Sequence, residues 1–386
     1  MNNKLYVFLS FMMAFLLIPS ALAEKYDQYV IQQTYLDDIE RIPYEDGEDT
    51  FYLESSGRNL RWKRNGETVG LINSENFPCL NWYTGVIRID EGQFGILMIK
   101  DHRGTQIKGP DTDRNWKGPD RIEYWNWSGQ TLELIRTWES DYYYTIYCDN
   151  GFLIYKQDHF AALYDHYARE IWHGSLGDGK EYLPYRLRMR SEDDWTCILN
   201  GQELAECCVR GVNGQIAWRR RFEDYSSRIM CALPLVDGWT IVTVSRNDGK
   251  YGPTKIYTLD PIGNIYSVQE ITSDRKLLTS ARLLFEAEDG VALIYGDAIS
   301  HSRKIYLVWQ LRFNVKNGTG QWNMRNCEYH EDYSPGFRAG TNTSTKEMPV
   351  SVMLEAMDDS NAPSVLVPFD ILPHVNNSLL TLSPVQ

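Results

Sequence analysis

Strand-length runs in which apolar and polar residues alternate, closed off by turn residues, fill the chain from about residue 60 onward. Trp239–Ser245, Lys255–Leu259 and Asn264–Ile271 are dense in β-branched and aromatic residues, which suit a pleated, half-buried surface. Asp260-Pro261-Ile262-Gly263 joins the last two as a tight turn, since proline presets one φ angle and glycine supplies a positive one. No long stretch carries the 3.6-residue period of a helix, so the pattern predicts an all-β chain.

That hairpin recurs. Copies stand around Arg61–Glu67, Trp127–Gln130, Ala162–Trp172, Val209–Trp218 and Asn317–Trp322. With turn residues at 66, 129, 168, 214, 263 and 320, the spacing averages about 51 residues, close to the ~40–50 of a four-stranded propeller blade. Uneven intervals mean that loops differ while the unit is kept. Trp172 and Trp218 each lie four residues past their turn residue, which places them on the same strand face.

Two of these copies, Ala162-Leu-Tyr-Asp165-x-x-Ala168-x-x-x-Trp172 and Gly214-x-x-x-Trp218, resemble the repeat of quinoprotein-like propellers, a glycine followed four residues later by tryptophan. The resemblance covers roughly residues 60–330 in degenerate form and implies radial four-stranded sheets. Members of that family use a bound quinone with Ca²⁺ or assemble outer-membrane proteins. None of their cofactor-binding residues can be placed on this chain.

Strand counting gives six blades, with seven as the alternative if residues 26–55 add strands. Met348–Leu354 and Ser364–Phe369 are expected to join the N-terminal strands near 59–72 in one composite blade, so that strands from both termini close the ring and no sheet edge is left to aggregate. Residues 24–375 then form a single propeller domain, followed by a polar C-terminal tail over 376–386.

The first residues change the picture of where the protein works. Lys4 precedes an apolar run from Leu5 to Ile18, and Pro19-Ser20-Ala21-Leu22-Ala23 follows with small residues where a signal peptidase reads. Residues 1–23 are expected to be a cleaved secretory signal, leaving the chain secreted or in the cell envelope. The first cysteine is Cys79, so no lipid-bearing cysteine follows the cleavage point. No later segment is apolar for long enough to span a bilayer. A formal net charge of −13 repels phosphate backbones and disfavours nucleic acid; it suits cationic ligands or Ca²⁺ where acids converge. The seven cysteines are an odd number, which leaves at least one thiol outside any intrachain disulfide.

Few constellations carry chemistry. Asp111, Asp113 and Asn115 have a D-x-D-x-N spacing that gathers oxygens around Ca²⁺, but Trp116 and Ile122 stand where an EF-hand loop needs glycine and a bidentate acid. A solvated loop is the plainer alternative, and no cofactor is expected beyond a Ca²⁺ ion there. Ser245-Arg-Asn247-Asp-Gly249 is a fragment of the Asp-box turn of sialidase-type propellers. His159, His166 and His173 recur every seven residues, a spacing that alternates faces along a strand. G-x-S-x-G, H-E-x-x-H and phosphate-cradling glycine loops do not occur. Aromatic residues are abundant, with 25 Tyr and 12 Trp. Trp116, Trp125 and Trp127, with Tyr142, Tyr143 and Tyr144, are the candidate ligand-binding residues, because adjacent tyrosines on a strand point to opposite faces and some must leave the core.

These features describe a non-catalytic, monomeric binding or scaffolding propeller for a protein, peptide or carbohydrate ligand. The alternative is a secreted propeller enzyme acting on polysaccharide, a glycosidase or lyase, whose site residues would come from different blades and leave no local motif. A quinone-dependent oxidoreductase stands third.

Overall fold

The computed structural model describes residues 41–385, apart from 47, 55–58, 73–81, 101–120, 140–141, 149, 157–159, 176–181, 202–205, 211–213, 223–226, 236, 247–252, 274–276, 289, 328–335, 339–350, 355–364 and 376. The first sheet contains β1 (Arg41–Asp46), β2 (Asp49–Glu54), β3 (Asn59–Arg64) and β4 (Glu67–Ile72). The second contains β5 (Trp82–Asp90), β6 (Gln93–Lys100), β7 (Arg121–Trp127) and β8 (Leu132–Glu139). The third runs through β9 (Tyr142–Cys148), β10 (Gly151–Lys156), β11 (Phe160–Asp165) and β12 (Glu170–Ser175). The fourth comprises β13 (Tyr182–Met189), β14 (Trp195–Gly201), β15 (Glu206–Arg210) and β16 (Ile216–Arg221).

The fifth sheet is made of β17 (Ser227–Pro234), β18 (Thr240–Arg246), β19 (Thr254–Leu259) and β20 (Ile265–Thr272). In the sixth are β21 (Leu278–Glu288), β22 (Val291–Ser300), β23 (Ile305–Asn314) and β24 (Thr319–Cys327). The seventh has three strands, β25 (Gly336–Arg338), β26 (Ser351–Leu354) and β27 (Val365–Pro368). Finally β28 (Thr381–Pro384) returns to pair with β20 as a fifth strand.

Every pairing is antiparallel between consecutive strands except that of β20 with β28. First strands pack on first strands in order, β1 on β5, β5 on β9, β9 on β13, β13 on β17 and β17 on β21. Meanders arranged side by side in this way form a β-propeller. The apolar interior is correspondingly divided into slabs between neighbouring sheets. One joins Phe51, Leu60 and Trp62 to Phe94, Ile96 and Trp127; another joins Leu153 and Leu163 to Leu187, Trp195 and Leu199. Middle strands are therefore covered on both faces: β22 is buried from Ala292 to Ser300, whereas the outer strand β12 has no fully buried residue. That explains why the middle strands read as continuous apolar runs while the outer ones alternate.

The recurring turn is the hairpin between the third and fourth strands. In each of the first six sheets it passes through a positive φ, at Gly66 (82°), Gly129 (87°), Ala168 (61°), Gly214 (71°), Gly263 (81°) and Gly318 (68°). The last of these is Gly318 rather than Gly320, which lies inside β24. The turns of sheets two to six also receive the preceding sheet's outer strand. A Cβ at Gly214 would overlap the Trp172 indole, and one at Gly263 would overlap Trp218. Arg136 donates to the Ala168 carbonyl at 3.0 Å and Arg220 to the Gly263 carbonyl at 2.6 Å. The glycine–tryptophan repeat is thus an interlock between neighbouring sheets.

Closure differs from the expectation. The six-blade count is not supported: the described residues form five four-stranded sheets, one of five strands and one of three. Nor do the terminal segments share a sheet. Residues 59–72 pair with 41–54, while β26 and β27 pair with β25. The N-terminal strands had been hidden by an acidic turn, Glu45-Asp46-Gly47-Glu48-Asp49, which interrupts their alternation. Within it, Asp49 is buried and accepts from Trp62 Nε1 and Arg64 Nε, each at 2.8 Å.

Residues 376–386, expected to be a polar tail, instead carry an ordered strand. After β27 the chain runs along the edge of β24, where Asn326 N–H donates to the Pro373 carbonyl at 2.8 Å and Arg325 pairs with His374 in an isolated bridge. Leu380 is then buried, and Leu382 packs against the apolar slab between sheets five and six. A fully buried leucine contributes about 1.5–3 kcal/mol. Removing residues 376–386 is therefore expected to lower the melting temperature by roughly 5 °C or more. An unchanged melt would mean that β28 contributes nothing to stability.

Cys148, Cys197, Cys231 and Cys327 carry buried thiols. Burial, with the nearby Asp297 carboxylate adding to it, pushes the Cys327 thiol up to about 12. Titration of the denatured, unreduced protein should find at least these four thiols per chain. In the native state Cys327 should resist alkylation at pH 8, because both burial and a raised pKa withhold the thiolate.

Candidate functional site

Two hairpins face each other across the junction of sheets three and four. The first is the turn Asp165-His166-Tyr167-Ala168-Arg169. Its buried Asp165 accepts from the backbone N–H groups of Tyr167 (2.9 Å) and Arg169 (2.8 Å), which holds Ala168 in its left-handed conformation. The second is Arg190-Ser191-Glu192-Asp193-Asp194, between β13 and β14. There Arg190 forks onto both Asp194 oxygens at 2.8 and 2.7 Å and reaches Thr196 at 2.9 Å. The hydrogen-bonded guanidinium holds the Asp194 carboxyl below the usual carboxylate range.

Between the hairpins lies a cleft of about 330 Å³, lined by Asp165, Arg169, Glu170, Ile171, Trp172, Glu192, Asp193 and Trp195. Trp172 and Trp195 lie 5.3 Å apart, tilted by 49°. Arg169 spans the cleft: its Nε donates to Asp165 at 2.6 Å and its Nη2 to Glu192 at 2.8 Å. The Asp165 hydrogen bond, reinforced by charge attraction, raises the Arg169 pKa further and keeps the guanidinium charged. Glu170 contacts the exposed His173 Nδ1 at 2.6 Å. Asp193 forms no ion pair among the described residues. Four carboxylates thus surround one guanidinium that is already engaged by two of them. The arrangement favours a positive guest, with indoles beside it and acidic oxygens around it.

A second polar constellation lies among the first strands. Arg188 on β13 donates to the Pro234 carbonyl of β17 at 3.0 Å and to Glu286 of β21 at 2.5 Å. Arg186 reaches the Leu284 carbonyl at 3.0 Å. These contacts tie sheet four to sheet six past sheet five, and the ion pair is almost wholly buried, with side-chain exposures of 9% and 4%.

Trp125, Trp127, Tyr142, Tyr143 and Tyr144, singled out from the sequence, are not among the residues that line the cleft. Trp127 is buried in the slab between sheets one and two, 5.6 Å from Trp62 and 5.8 Å from Phe51. Trp125 is half-buried against the same slab and donates to the buried Glu123 at 3.0 Å. Tyr142, Tyr143 and Tyr144 lie on β9, with Tyr144 opposite Tyr155 and Tyr142 opposite Lys156. Asp111, Asp113, Asn115 and Trp116 lie outside the described residues, as does His159. His166 and His173 belong to the rim of sheet three. Among the described residues no group of three or more His, Cys, Asp or Glu side chains is placed to hold a metal, and no helix is long and apolar enough to cross a membrane. The cleft leaves no local motif because its residues come from two repeats. The signal that could have flagged them is the acidic run Glu192-Asp193-Asp194 set in a turn immediately before Trp195.

The buried ion pair has a measurable consequence. Arg188→Met leaves the Glu286 carboxylate buried without its guanidinium, at a cost of about 3–5 kcal/mol. Arg188→Met combined with Glu286→Leu should recover most of that loss in urea unfolding. A single variant as stable as the parent would remove the pair from the forces that hold sheets four to six.

No protein-family model matches the chain, and no curated protein matches it. Similar solved structures include Chaetomium thermophilum Raptor, at 10% identity and TM-score 0.49, covering 89% of this chain and 29% of that one. BBS1N in complex with ARL6DN is similar at 8% identity and TM-score 0.43, over 86% of this chain and 96% of that one. The Dos1 propeller is similar at 10% identity and TM-score 0.44, over 79% and 72% respectively. This chain therefore spans less than a third of the length of the Raptor chain it matches.

Proposed function

We propose that the chain is an exported, non-catalytic binding propeller, and that the cleft between sheets three and four receives a lysine or arginine side chain from a protein or peptide partner. The observation that carries this reading is the convergence of Asp165, Glu170, Glu192 and Asp193 around a single guanidinium, Arg169, beside two tryptophans. A guest cation gains from the carboxylates and from an indole face, worth about 0.5–1 kcal/mol at an exposed site and more where water is excluded. The cleft volume suits one long side chain rather than a folded surface. The net charge of −13 draws cationic partners toward the molecule and speeds their encounter. The leader over residues 1–23 would place this exchange in the secreted or cell-envelope space.

Tryptophan fluorescence titrated with Lys- and Arg-rich peptides tests the reading. Binding should be quenching, saturable and weakened by salt, since rim charges are screened over about 8 Å at physiological ionic strength. Glu192→Gln with Asp193→Asn should weaken it by about fivefold or more, with the melting temperature changed little. Neutral oligosaccharides should leave the signal unchanged. Salt-independent binding, or equal affinity in the double variant, would place recognition elsewhere.

A further inference from the structure

We infer that Arg169 is a tethered occupant of the acidic cleft, whose guanidinium stays fastened to Asp165 and yields Glu192 to the incoming cation. The inference rests on the proposed reading of the cleft as a seat for a lysine or arginine side chain, and adds the residue that regulates entry to it.

The two ends of the Arg169 contact differ in kind. At one end, Nε and Nη2 lie 2.6 and 2.5 Å from Asp165 Oδ2. The Asp165 side chain is only 3% exposed, and its Oδ1 also accepts from the backbone N–H groups of Tyr167 and Arg169. Taking the guanidinium away would leave a buried carboxylate without its counter-charge, so this end is held firmly. At the other end, Nη2 donates to Glu192 Oε1 at 2.8 Å, between side chains that are 64% and 62% exposed. Ion pairs in solvent hold weakly, because water competes for both groups and ordering two long side chains costs entropy. The Tyr167 ring, with its centroid 5.3 Å from Arg169 Cζ, supports the guanidinium from within its own hairpin. Arg169 is thus anchored on one hairpin and lightly attached to the facing one.

This asymmetry decides which acids a guest can use. Asp165 is buried and already fully engaged, and Glu170 is occupied by His173 Nδ1 at 2.6 Å. Glu192 and Asp193 are neighbours on the facing hairpin, and Arg169 covers Glu192 alone. Glu192 already accepts a guanidinium at hydrogen-bonding distance, so its surroundings suit another of the same chemistry. Because the competitor is tethered, it acts at an effective concentration on the order of millimolar, and a lone cation does not dislodge it. A peptide with several arginines, which holds Asp193 while it takes Glu192, does.

Tryptophan fluorescence titrated with hexa-arginine tests this through a double-mutant cycle. Arg169→Gln should tighten binding about two- to fivefold, the factor that freeing one exposed pair provides. In the Glu192→Gln background the same substitution should lose most of that gain, since no pair is left to free. An equal gain in both backgrounds would reduce the effect to the removal of a positive charge, and weaker binding by Arg169→Gln would make the guanidinium part of the guest's seat. Either outcome overturns the inference and leaves the cleft as the binding site. Binding that ignores Glu192→Gln combined with Asp193→Asn overturns the reading of the cleft and this inference together. The unsubstituted protein supplies a second measurement, which decides alone should Arg169→Gln fail to fold. Nuclear Overhauser contacts from the Arg169 guanidinium to Glu192 should vanish at saturating unlabelled hexa-arginine while those to Asp165 persist. A Glu192 contact that survives saturation would overturn the inference.

Discussion

Each of the first six sheets must reverse direction between its third and fourth strands through a left-handed residue, and the arrangement of the sheets depends on that turn. Because glycine has no Cβ, the turn backbone can accept a bulky side chain from the sheet before it. Trp172 fills this role at Gly214 and Trp218 at Gly263. Where the turn residue is Ala168, an Arg136 hydrogen bond to its carbonyl serves instead. The repeat survives in degenerate form because any side chain that can seat on the turn will serve. The two tryptophan copies are its best-preserved instances.

This geometry also creates the cleft. Trp172, committed to Gly214 by one part of its indole, forms with Trp195 the apolar wall between sheets three and four. The turns at either side bring their acids to the same opening, since Asp165 closes one hairpin and Asp194 the other. The polar residues that build the turns leave Glu192 and Asp193 turned to solvent. The cleft thus arises where two structural hairpins meet. Farther in, Arg188 and Glu286 link the first strands of sheets four and six across sheet five.

The C-terminal strap solves a different problem. Outer strands present unpaired backbone groups, and the chain after β27 covers the edge of β24 at His374 before β28 covers that of β20. Polar residues such as Thr381 and Ser383 make this segment look like a solvated tail, although main-chain pairing and the burial of Leu380 hold it.

Alternation, β-branched density and the recurring turn at Gly66, Gly129, Ala168, Gly214 and Gly263 determined by themselves that the chain is all-β and built from repeated meanders, because strand period and left-handed turns are local properties. Blade number and closure were not legible. They depend on which edges pair, and pairing is chosen by contacts between segments far apart in the chain. The acidic β1–β2 turn and the polar β28 carry too little local signal to announce their strands. Trp127 read as a ligand-binding candidate because abundance does not distinguish a slab between sheets from a solvent-facing surface. The cleft is wholly a tertiary product: Asp165 and Arg169 from one repeat meet Glu192 and Asp193 from the next only because Trp172 docks on Gly214 and sets the two sheets side by side.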